Sequence, residues 1–310
     1  MKAVLMMAYC SLTSIDDIAA FYTHLHHGRR PSPEALAEAA ARYKSLGAAD
    51  PLGTVTARQA RSLERRLRQR CGEAIPVYTA MRHTAPFVEE TVRQLVSDGV
   101  TQLFVLPMTP LYSKSGVGGY YRSVLEAREA QKDGFDTTLI AGWHLHQGYV
   151  QAIASRLTDA MNWLSAAGRE RAAVLFTTHS KPGLPSPNRD YIQAYAELAD
   201  AVACQAGVSS YSLNYRSGGP SPQVWLGPDV RDRMTEAARA GATAVVVCDL
   251  LTIAENIEVV TDCRTDCMLQ AEQLGLEFVS AAFPNDSDDF MTALEDIVVS
   301  RLLIAASPVG

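Results

Sequence analysis

The sequence predicts an α/β protein with two similar lobes, each a four-stranded parallel sheet flanked by helices, and a cleft between the lobes. Two observations predict this class. Short apolar runs alternate with longer helical stretches along the chain, which is typical of β-α-β units around a parallel sheet. Each predicted strand also ends at a polar or Gly/Pro-bearing stretch, where an α/β sheet places its ligand crevice.

Length and charge agree with this class and exclude others. The chain has 310 residues, enough for two domains of about 150 residues each. It carries 28 Lys and Arg against 34 Asp and Glu, a net charge of −6, so a basic face that binds nucleic acid is not expected. No apolar run reaches the ~18 residues that span a bilayer, and MKAVLMMAY is typical of a first strand, not of a signal peptide. We therefore expect a soluble, cytoplasmic protein without stable membrane insertion.

The first lobe is predicted from four apolar runs separated by segments in which Ala, Arg and Glu recur with helical periodicity. The strands are expected at Ala3–Ala8, Pro76–Met81, Gln102–Pro107 and Thr137–Ala141. The helices are expected at Pro33–Leu46, Ala57–Gln69, Ala85–Asp98 and Gly119–Lys132.

The second lobe repeats the alternation, and a Gly/Pro/Ser loop over 216–222 interrupts it. The strands are expected at Ala172–Thr177, Ser210–Tyr215, Ala244–Leu250 and Glu277–Ala281. The helices are expected at Tyr191–Ala206, Val230–Ala240, Ile253–Leu274 and Asp288–Leu303. We place the domains at 1–150 and 151–287, followed by a C-terminal helix in 288–310.

The six cysteines are too sparse for a disulfide scaffold. Only Cys263 and Cys267 lie close in sequence, and no His or second Cys pair stands near them. We therefore interpret Cys263 and Cys267 as two separate thiols on a helix, in preference to half of a metal site.

Four carboxylates, Glu255, Glu258, Asp262 and Asp266, are spaced three, four and four residues apart, which places them on one stripe of a helix. Like charges at this spacing destabilise a bare helix by about 0.2–0.5 kcal/mol per pair, so local stability does not explain them. A row of oxygen ligands that passes a divalent cation along would explain them. A solvated acidic face is an equally good interpretation.

His179 lies just after the apolar strand VLFTT, at the edge where an open α/β sheet exposes residues to its crevice. Glu258 occupies the equivalent place one β-α unit further on. A neutral imidazole facing a carboxylate suits proton uptake and the transient binding of a metal. The alternative is a structural histidine that only forms hydrogen bonds.

The stretch YTHLHHGRRPSP has the opposite polarity, with His26 and Arg29 as candidate ligand contacts and Arg42 following it. Arginine forks and histidine donors in a mobile Gly/Pro-bearing stretch suit carboxylates or phosphates. A solvated basic loop is the competing interpretation. Gly116–Gly119 lacks both phosphate-loop spacings, and Ser180 lacks the G-x-S-x-G context of a hydrolase.

Motifs along nearly the whole chain match one known family. They are MMAY, FYTHLHHGRRPSPE, ARYKSLGAADPLGTVTARQA, MRHTAPFVEETV, THS, WLGPD, ENIEVVTDCRTDC and FPNDSDDFMTALEDIV. On these motifs the sequence resembles ferrochelatase, the enzyme that inserts ferrous iron into a porphyrin. It is most similar to the short bacterial type, which acts on coproporphyrin III in preference to protoporphyrin IX. The resemblance implies two Rossmann-like domains with the porphyrin in the cleft and the last helix packed back on the first domain.

The resemblance also implies roles for single residues. His179 and Glu258 match the catalytic pair beside the macrocycle, and Tyr9 matches a tyrosine that faces the metal from the other side of the ring. Asp262 and Asp266 match the acidic line that leads the metal inward. The remaining matches are substrate contacts, in the cleft or at the propionates: Arg42, Gln59, Arg82, His83 and Ser217.

Several positions depart from the family pattern. The family usually reads Pro-x-Gly-Phe before the catalytic glutamate, whereas this chain reads Asp-Leu-Leu-Thr over 249–252. Asn256 replaces a histidine, Asp50 replaces a serine, and His26-His27 stand where two arginines are common. The chain has no cysteine after Cys267, so no iron–sulfur cluster is expected. We expect no required cofactor, because Fe²⁺ is a substrate.

The resemblance predicts that the enzyme makes coproheme from coproporphyrin III and Fe²⁺ in haem biosynthesis, with transient contacts to other enzymes of that pathway. Protoporphyrin IX insertion and a sirohydrochlorin-type chelatase are the alternative activities. A tetrapyrrole or metal carrier without turnover is the alternative of another class, and the altered segment 249–252 is the feature that favours it.

Overall fold

The computed structural model describes residues 1–45, 47, 50–131, 134–219 and 222–306. It contains two four-stranded sheets, both entirely parallel, with strand orders β2-β1-β3-β4 and β6-β5-β7-β8. The strands are β1 (Lys2–Ala8), β2 (Val77–Met81), β3 (Gln102–Pro107), β4 (Asp136–Leu139), β5 (Ala172–His179), β6 (Ser212–Arg216), β7 (Ala244–Asp249) and β8 (Glu277–Ser280).

Helices connect these strands, as parallel pairing requires. They are α1 (Ile18–Leu25), α2 (Pro33–Ser45), α3 (Pro51–Cys71), α4 (Val88–Ser97), α5 (Val117–Glu129), α6 (Gln147–Asn162), α7 (Ala166–Glu170), α8 (Arg189–Ala206), α9 (Val230–Arg239), α10 (Ile257–Val260), α11 (Cys267–Leu274) and α12 (Asp288–Ala306). The predicted α/β class with two four-stranded parallel sheets is confirmed. The predicted helix ends at Leu46 and Lys132, and Pro220 and Ser221 of the predicted loop, lie outside the described residues.

The chain forms two compact units. Unit 1 comprises residues 1–110, 114–143 and 285–310, and unit 2 comprises 111–113 and 144–284. The first division precedes the predicted one after residue 150 because α6 packs as a whole against α8 and β7 of unit 2. Within the described residues, no helix is both long enough and apolar enough to cross a bilayer.

Unit 1 is centred on β1, whose residues from Ala3 to Ala8 are all buried. α3 begins where the Asp50 carboxylate accepts a hydrogen bond from the Leu52 N–H at 3.0 Å, so Asp50 serves as the N-cap of this helix. α3 ends at Gly72, which is left-handed with φ 70°. The last helix, α12, packs against α3 within this unit.

Unit 2 is centred on β5 and β7. The residues of β7 from Ala244 to Asp249 are all buried. α9, α11 and the segment between α10 and α11 cover one face of this sheet, where Cys263 and Cys267 are fully buried. Both cysteines are free thiols within the core of this unit.

The prediction for one helix and the prediction for the start of one loop were wrong. The helix expected over Ile253–Leu274 begins only at Ile257, because the Asn256 side chain caps it by accepting from the Val259 N–H at 2.9 Å. It then passes through a π-helical segment, Thr261–Asp266, before α11. The stretch expected to be a mobile loop begins instead with the last turn of α1, which forms because Ile18 and Phe21 are buried.

Candidate active site

The carboxyl edge of the unit 2 sheet brings three ionisable side chains together. His179 ends β5, Arg216 ends β6 and Asp249 ends β7. His179 pairs in register with Arg216, and Thr177 pairs with Asp249. Since parallel strands present their carboxyl ends at one edge, strand geometry alone places these groups side by side.

His179 and Glu258 form a close pair. His179 Nε2 lies 3.4 Å from Glu258 Oε1, and the two side chains are 29% and 46% exposed. His179 Nδ1 is 2.6 Å from the Ser180 carbonyl oxygen, which can only accept, so Nδ1 carries the hydrogen. Nε2 is consequently the ring atom available to take a proton or contact a metal.

Glu258 is held ionised by its neighbours. Burial raises the pKa of its carboxyl, but His179 and Arg216 together outweigh burial and lower the pKa to about 2. Arg216 Nη1 lies 3.4 Å from Glu258 Oε2. At neutral pH the group beside Nε2 is therefore a carboxylate. Its negative charge can stabilise a proton or a metal cation bound at Nε2.

The acidic line is shorter than the sequence predicts. Glu255 precedes the helix and pairs with Arg264 at 2.8 Å, so it does not continue the stripe. Asp262 and Asp266 lie in the π-helical segment that follows Glu258, and Ser217 donates a hydrogen bond to Asp262 Oδ2. π-helical turns of this kind are frequent at functional sites.

The ligand set is sparse. Among the residues that the structure describes, no three or more His, Cys, Asp or Glu side chains converge as a cage for a metal ion. His179 and Glu258 could supply two ligands in this unit. Such a pair suits a metal that is picked up and released more than one that resides permanently.

In unit 1, Tyr9 follows β1 directly and is 40% exposed. Its ring meets the His83 ring edge-on at 4.7 Å between centroids, and the His83 N–H donates to the Tyr9 carbonyl at 3.1 Å. Phe21 of α1 packs beside both rings. The His83 and Phe21 rings thus hold the Tyr9 ring at the carboxyl edge of the first sheet.

His83 is buried, and His24 is its polar partner. Their Nδ1 atoms are 3.1 Å apart, so one ring donates to the other. Burial, reinforced by Arg82, His24 and His27, lowers the pKa of His83 to about 4. His83 is therefore neutral at physiological pH and connects Tyr9 to the more exposed His24.

Arg82 is oriented from two sides. Its Nη1 donates to the Ser115 carbonyl at 2.9 Å, and its guanidinium lies 5.5 Å from the centre of the Tyr120 ring. A Cβ on Gly119 would lie 2.9 Å from Arg82 Nη1, so the glycine leaves room for this arginine. Gly119 of the GVGG stretch thus makes space for Arg82.

The other predicted substrate contacts are dispersed over unit 1. Gln59 is fully buried and its amide donates to the Asn285 carbonyl at 2.6 Å, so it holds the segment before α12. His26 and Arg29 are exposed beyond α1, where the His26 ring stacks with Tyr22 at 6.3 Å. Arg42 is half-buried on α2. The structure therefore does not gather Gln59 with the exposed basic residues.

Sequence reasoning missed Arg216 and Asp249 as members of the site. The sequence contained a clue to both residues, because an arginine and an aspartate lie at the ends of two strands of one predicted sheet. The two strands flank β5 in the sheet order, a pairing that could be known only once the topology was known.

Comparisons with known proteins agree on one family. The model of the family described as Ferrochelatase matches residues 1–302. Coproporphyrin III ferrochelatase 1 of Bacillus cereus is 33% identical over 305 residues, 96% of each chain. Coproporphyrin III ferrochelatase of Anoxybacillus flavithermus is 31% identical over 302 residues, again 96% of each chain.

Solved structures support the fold. SirB from Bacillus subtilis with Fe³⁺ matches with a TM-score of 0.58 and 13% identity, over 97% of this chain and 95% of that chain. CbiX, the terminal enzyme for siroheme biosynthesis in denitrifying bacteria, matches with a TM-score of 0.52 and 13% identity, over 96% of this chain and 99% of that chain. Because the family model and the curated relatives span almost the whole chain, the protein belongs to the ferrochelatase family.

Proposed function

We propose that this protein is a coproporphyrin ferrochelatase, which inserts Fe²⁺ into coproporphyrin III to give coproheme in haem biosynthesis. The observation that carries the proposal is the contact between His179 Nε2 and the ionised Glu258 at the carboxyl edge of the unit 2 sheet. The names of the curated relatives supply the substrate.

The chemistry of insertion fits this pair. Forming the metalloporphyrin binds one Fe²⁺ and releases two protons from the pyrrole nitrogens. His179 Nε2 is the acceptor for a proton, because Nδ1 already donates to the Ser180 carbonyl. The Glu258 carboxylate stabilises the imidazolium that forms, and solvent then takes the proton from the 29% exposed His179 side chain. The neutral ring restored in this way accepts the second pyrrole proton and passes it to solvent by the same route.

The metal is a substrate in this scheme. A two-ligand site binds a divalent ion weakly enough to hand it to the four ring nitrogens. Asp262 and Asp266, one and two turns further along the same helical segment, are the proposed entry relay. Their oxygen atoms can exchange with the water shell of the ion in steps.

We propose no resident cofactor. Cys248, Cys263 and Cys267 are buried, and burial raises the pKa of the Cys267 thiol to about 12. A thiol with so high a pKa stays protonated at neutral pH and is a poor ligand for an iron–sulfur cluster.

We propose Tyr9, His26, Arg29, Arg42, Gln59, Arg82, His83 and Ser217 as the substrate contacts. Coproporphyrin III carries four propionates, which suit the exposed arginine and histidine donors that follow α1. The buried Gln59 would act indirectly, through the Asn285 carbonyl that it holds. Turnover in the cytoplasm, with transient handover to neighbouring haem-pathway enzymes, completes the proposal.

An anaerobic insertion assay with Fe²⁺ and three rings tests the substrate. Coproporphyrin III, protoporphyrin IX and sirohydrochlorin are compared at equal concentration, and we expect the highest kcat/KM with coproporphyrin III. Preference for protoporphyrin IX or sirohydrochlorin would refute the assigned substrate. Ring binding without incorporation of iron would identify a carrier and refute the activity itself.

A further inference from the structure

Arg216 donates hydrogen bonds to four residues of this site. Its side chain is only 3% exposed. Nε donates to Asp249 Oδ2 at 2.8 Å, Nη2 donates to Thr252 Oγ1 at 3.1 Å, and Nη1 donates to Ser217 Oγ at 3.1 Å and to Glu258 Oε2 at 3.4 Å. A fully buried guanidinium with this many acceptors has one orientation.

Asp249 fixes that orientation from the sheet. Its Oδ1 accepts from the N–H groups of Leu251 and Thr252 at 3.1 and 2.8 Å, and its Oδ2 accepts from Thr177 as well as from Arg216. The Asp249 side chain is wholly buried. This aspartate and the turn after it occupy the segment 249–252 that departs from the family's Pro-x-Gly-Phe pattern, so the departure builds an anchor for Arg216.

The anchored guanidinium determines which carboxylate oxygens remain available. Glu258 Oε2 is engaged by Arg216, which leaves Oε1 to face His179 Nε2. Ser217 accepts from Arg216 and donates to Asp262 Oδ2, and Arg216 Nη1 itself lies 3.9 Å from that oxygen. The same arginine therefore reaches the next carboxylate both directly and through one hydroxyl. Ser217 has a left-handed backbone with φ 57°, a conformation that a non-glycine residue adopts only when its surroundings hold it there.

We propose that Arg216, anchored by Asp249, is a positioning residue for metal transfer: it aims one oxygen of Glu258 at His179 and, through Ser217, aligns Asp262 behind it. This role rests on the proposed function, because it concerns the path of the metal substrate. The competing explanation is an ion pair that only stabilises the fold. The two explanations differ in what a charge-preserving substitution does.

Arg216→Lys tests whether the positive charge at this position is enough, or whether the hydrogen bonds of the guanidinium are needed. Lysine keeps the positive charge opposite Asp249, but its single ammonium cannot reach Asp249, Ser217 and Glu258 together. The double variant Arg216→Gln with Asp249→Asn removes both charges and leaves no buried ion unpaired. Ser217→Gly removes the hydroxyl link and relieves the left-handed backbone. Arg264→Gln, which breaks the neighbouring ion pair with Glu255, is the matched control.

Calorimetric titration of the ring-free protein with Zn²⁺ provides a readout that does not depend on insertion. We expect Zn²⁺ affinity to fall about tenfold in Arg216→Lys and in the double variant, as is usual when a partner that orients a metal ligand is lost. kcat/KM for Fe²⁺ should fall by a similar factor while KM for coproporphyrin III is unchanged. Ser217→Gly should show a smaller loss, and Arg264→Gln none.

Zn²⁺ affinity and kcat/KM for Fe²⁺ within twofold of wild type in folded Arg216→Lys would overturn the positioning role, because a purely structural pair is rescued by lysine. If neither Arg216 variant folds, Ser217→Gly decides: unchanged Zn²⁺ affinity overturns the proposal, and weakened affinity supports it. A wild-type protein that inserts no iron, together with weakened Zn²⁺ binding in Arg216→Lys, would refute the proposed function and leave the positioning role standing.

Discussion

His179 Nε2 lies 3.4 Å from Glu258 Oε1, while His179 Nδ1 is occupied by the Ser180 carbonyl. The strand end fixes the imidazole, and the helix capped by Asn256 delivers the carboxylate. His179 Nδ1 is thus hydrogen-bonded within the protein, whereas His179 Nε2 and Glu258 Oε1 are available to a proton or a metal ion.

Glu258→Gln should reduce kcat for iron insertion by about 100-fold, because the neutral amide no longer stabilises the imidazolium or binds the ion. The dissociation constant for coproporphyrin III should stay within about twofold. Glu255→Gln is the matched control, since Glu255 lies three residues away and pairs with Arg264 instead. Equal loss in both variants would show that the acidity of the segment, and not the contact with His179, supports turnover.

Stability should depend on pH through His83. Its pKa is lowered from 6.5 in the unfolded chain to about 4 in the fold, so the unfolded state binds more protons between these values. The contribution of His83 to stability is then complete above pH 6.5 and is lost as the pH falls toward 4, by on the order of 3 kcal/mol. Urea unfolding of wild type and His83→Gln measures this loss across the window. A slope as steep in His83→Gln as in wild type would contradict the assignment.

Asp50→Ala should destabilise the protein by about 1 kcal/mol, because α3 loses the carboxylate that caps the Leu52 N–H. Asp50→Ser should retain most of the stability, since serine is an equally good N-cap and is the residue common in the family. Thermal unfolding of the three proteins checks this order. Equal destabilisation by serine and alanine would mean that Asp50 acts through its charge and not as a cap.

Arg29→Gln should raise KM for coproporphyrin III about three- to tenfold with kcat nearly unchanged, which corresponds to one exposed arginine–carboxylate contact of about 1 kcal/mol. Arg61 is a different exposed arginine, which lies on α3, and Arg61→Gln is the control for a general loss of positive charge. A matching rise in KM in both variants would indicate long-range attraction of an anionic ring instead of a specific grip.

The sequence predicted the eight strands well, because buried parallel strands are nearly continuous apolar runs bounded by polar turns. It also placed His179 and Glu258 at equivalent ends of neighbouring β-α units. The prediction of the long helix near Glu258 was less accurate. The helix begins only after the Asn256 cap, and its Thr261–Asp266 segment is π-helical. Neither feature has a periodicity signal. Glu255 was therefore assigned to a stripe that it does not join.

The supporting residues of the site were the least predictable part. Arg216 and Asp249 are about 30 residues apart in sequence and meet at 2.8 Å only because their strands flank β5. Gln59 matches a family contact by motif, yet its amide is turned into unit 1 toward Asn285. Sequence pattern identifies which residues are present at strand ends, whereas packing decides which of them share a hydrogen bond.

Anaerobic single-turnover insertion of Fe²⁺ into coproporphyrin III by wild type and by His179→Ala, followed by the change in porphyrin absorbance, tests whether His179 is required for iron insertion. We expect complete insertion by wild type and a rate at least about 100-fold lower in His179→Ala, with ring binding retained. Turnover by His179→Ala at the wild-type rate, or wild-type protein that binds the ring without inserting iron, would contradict this expectation.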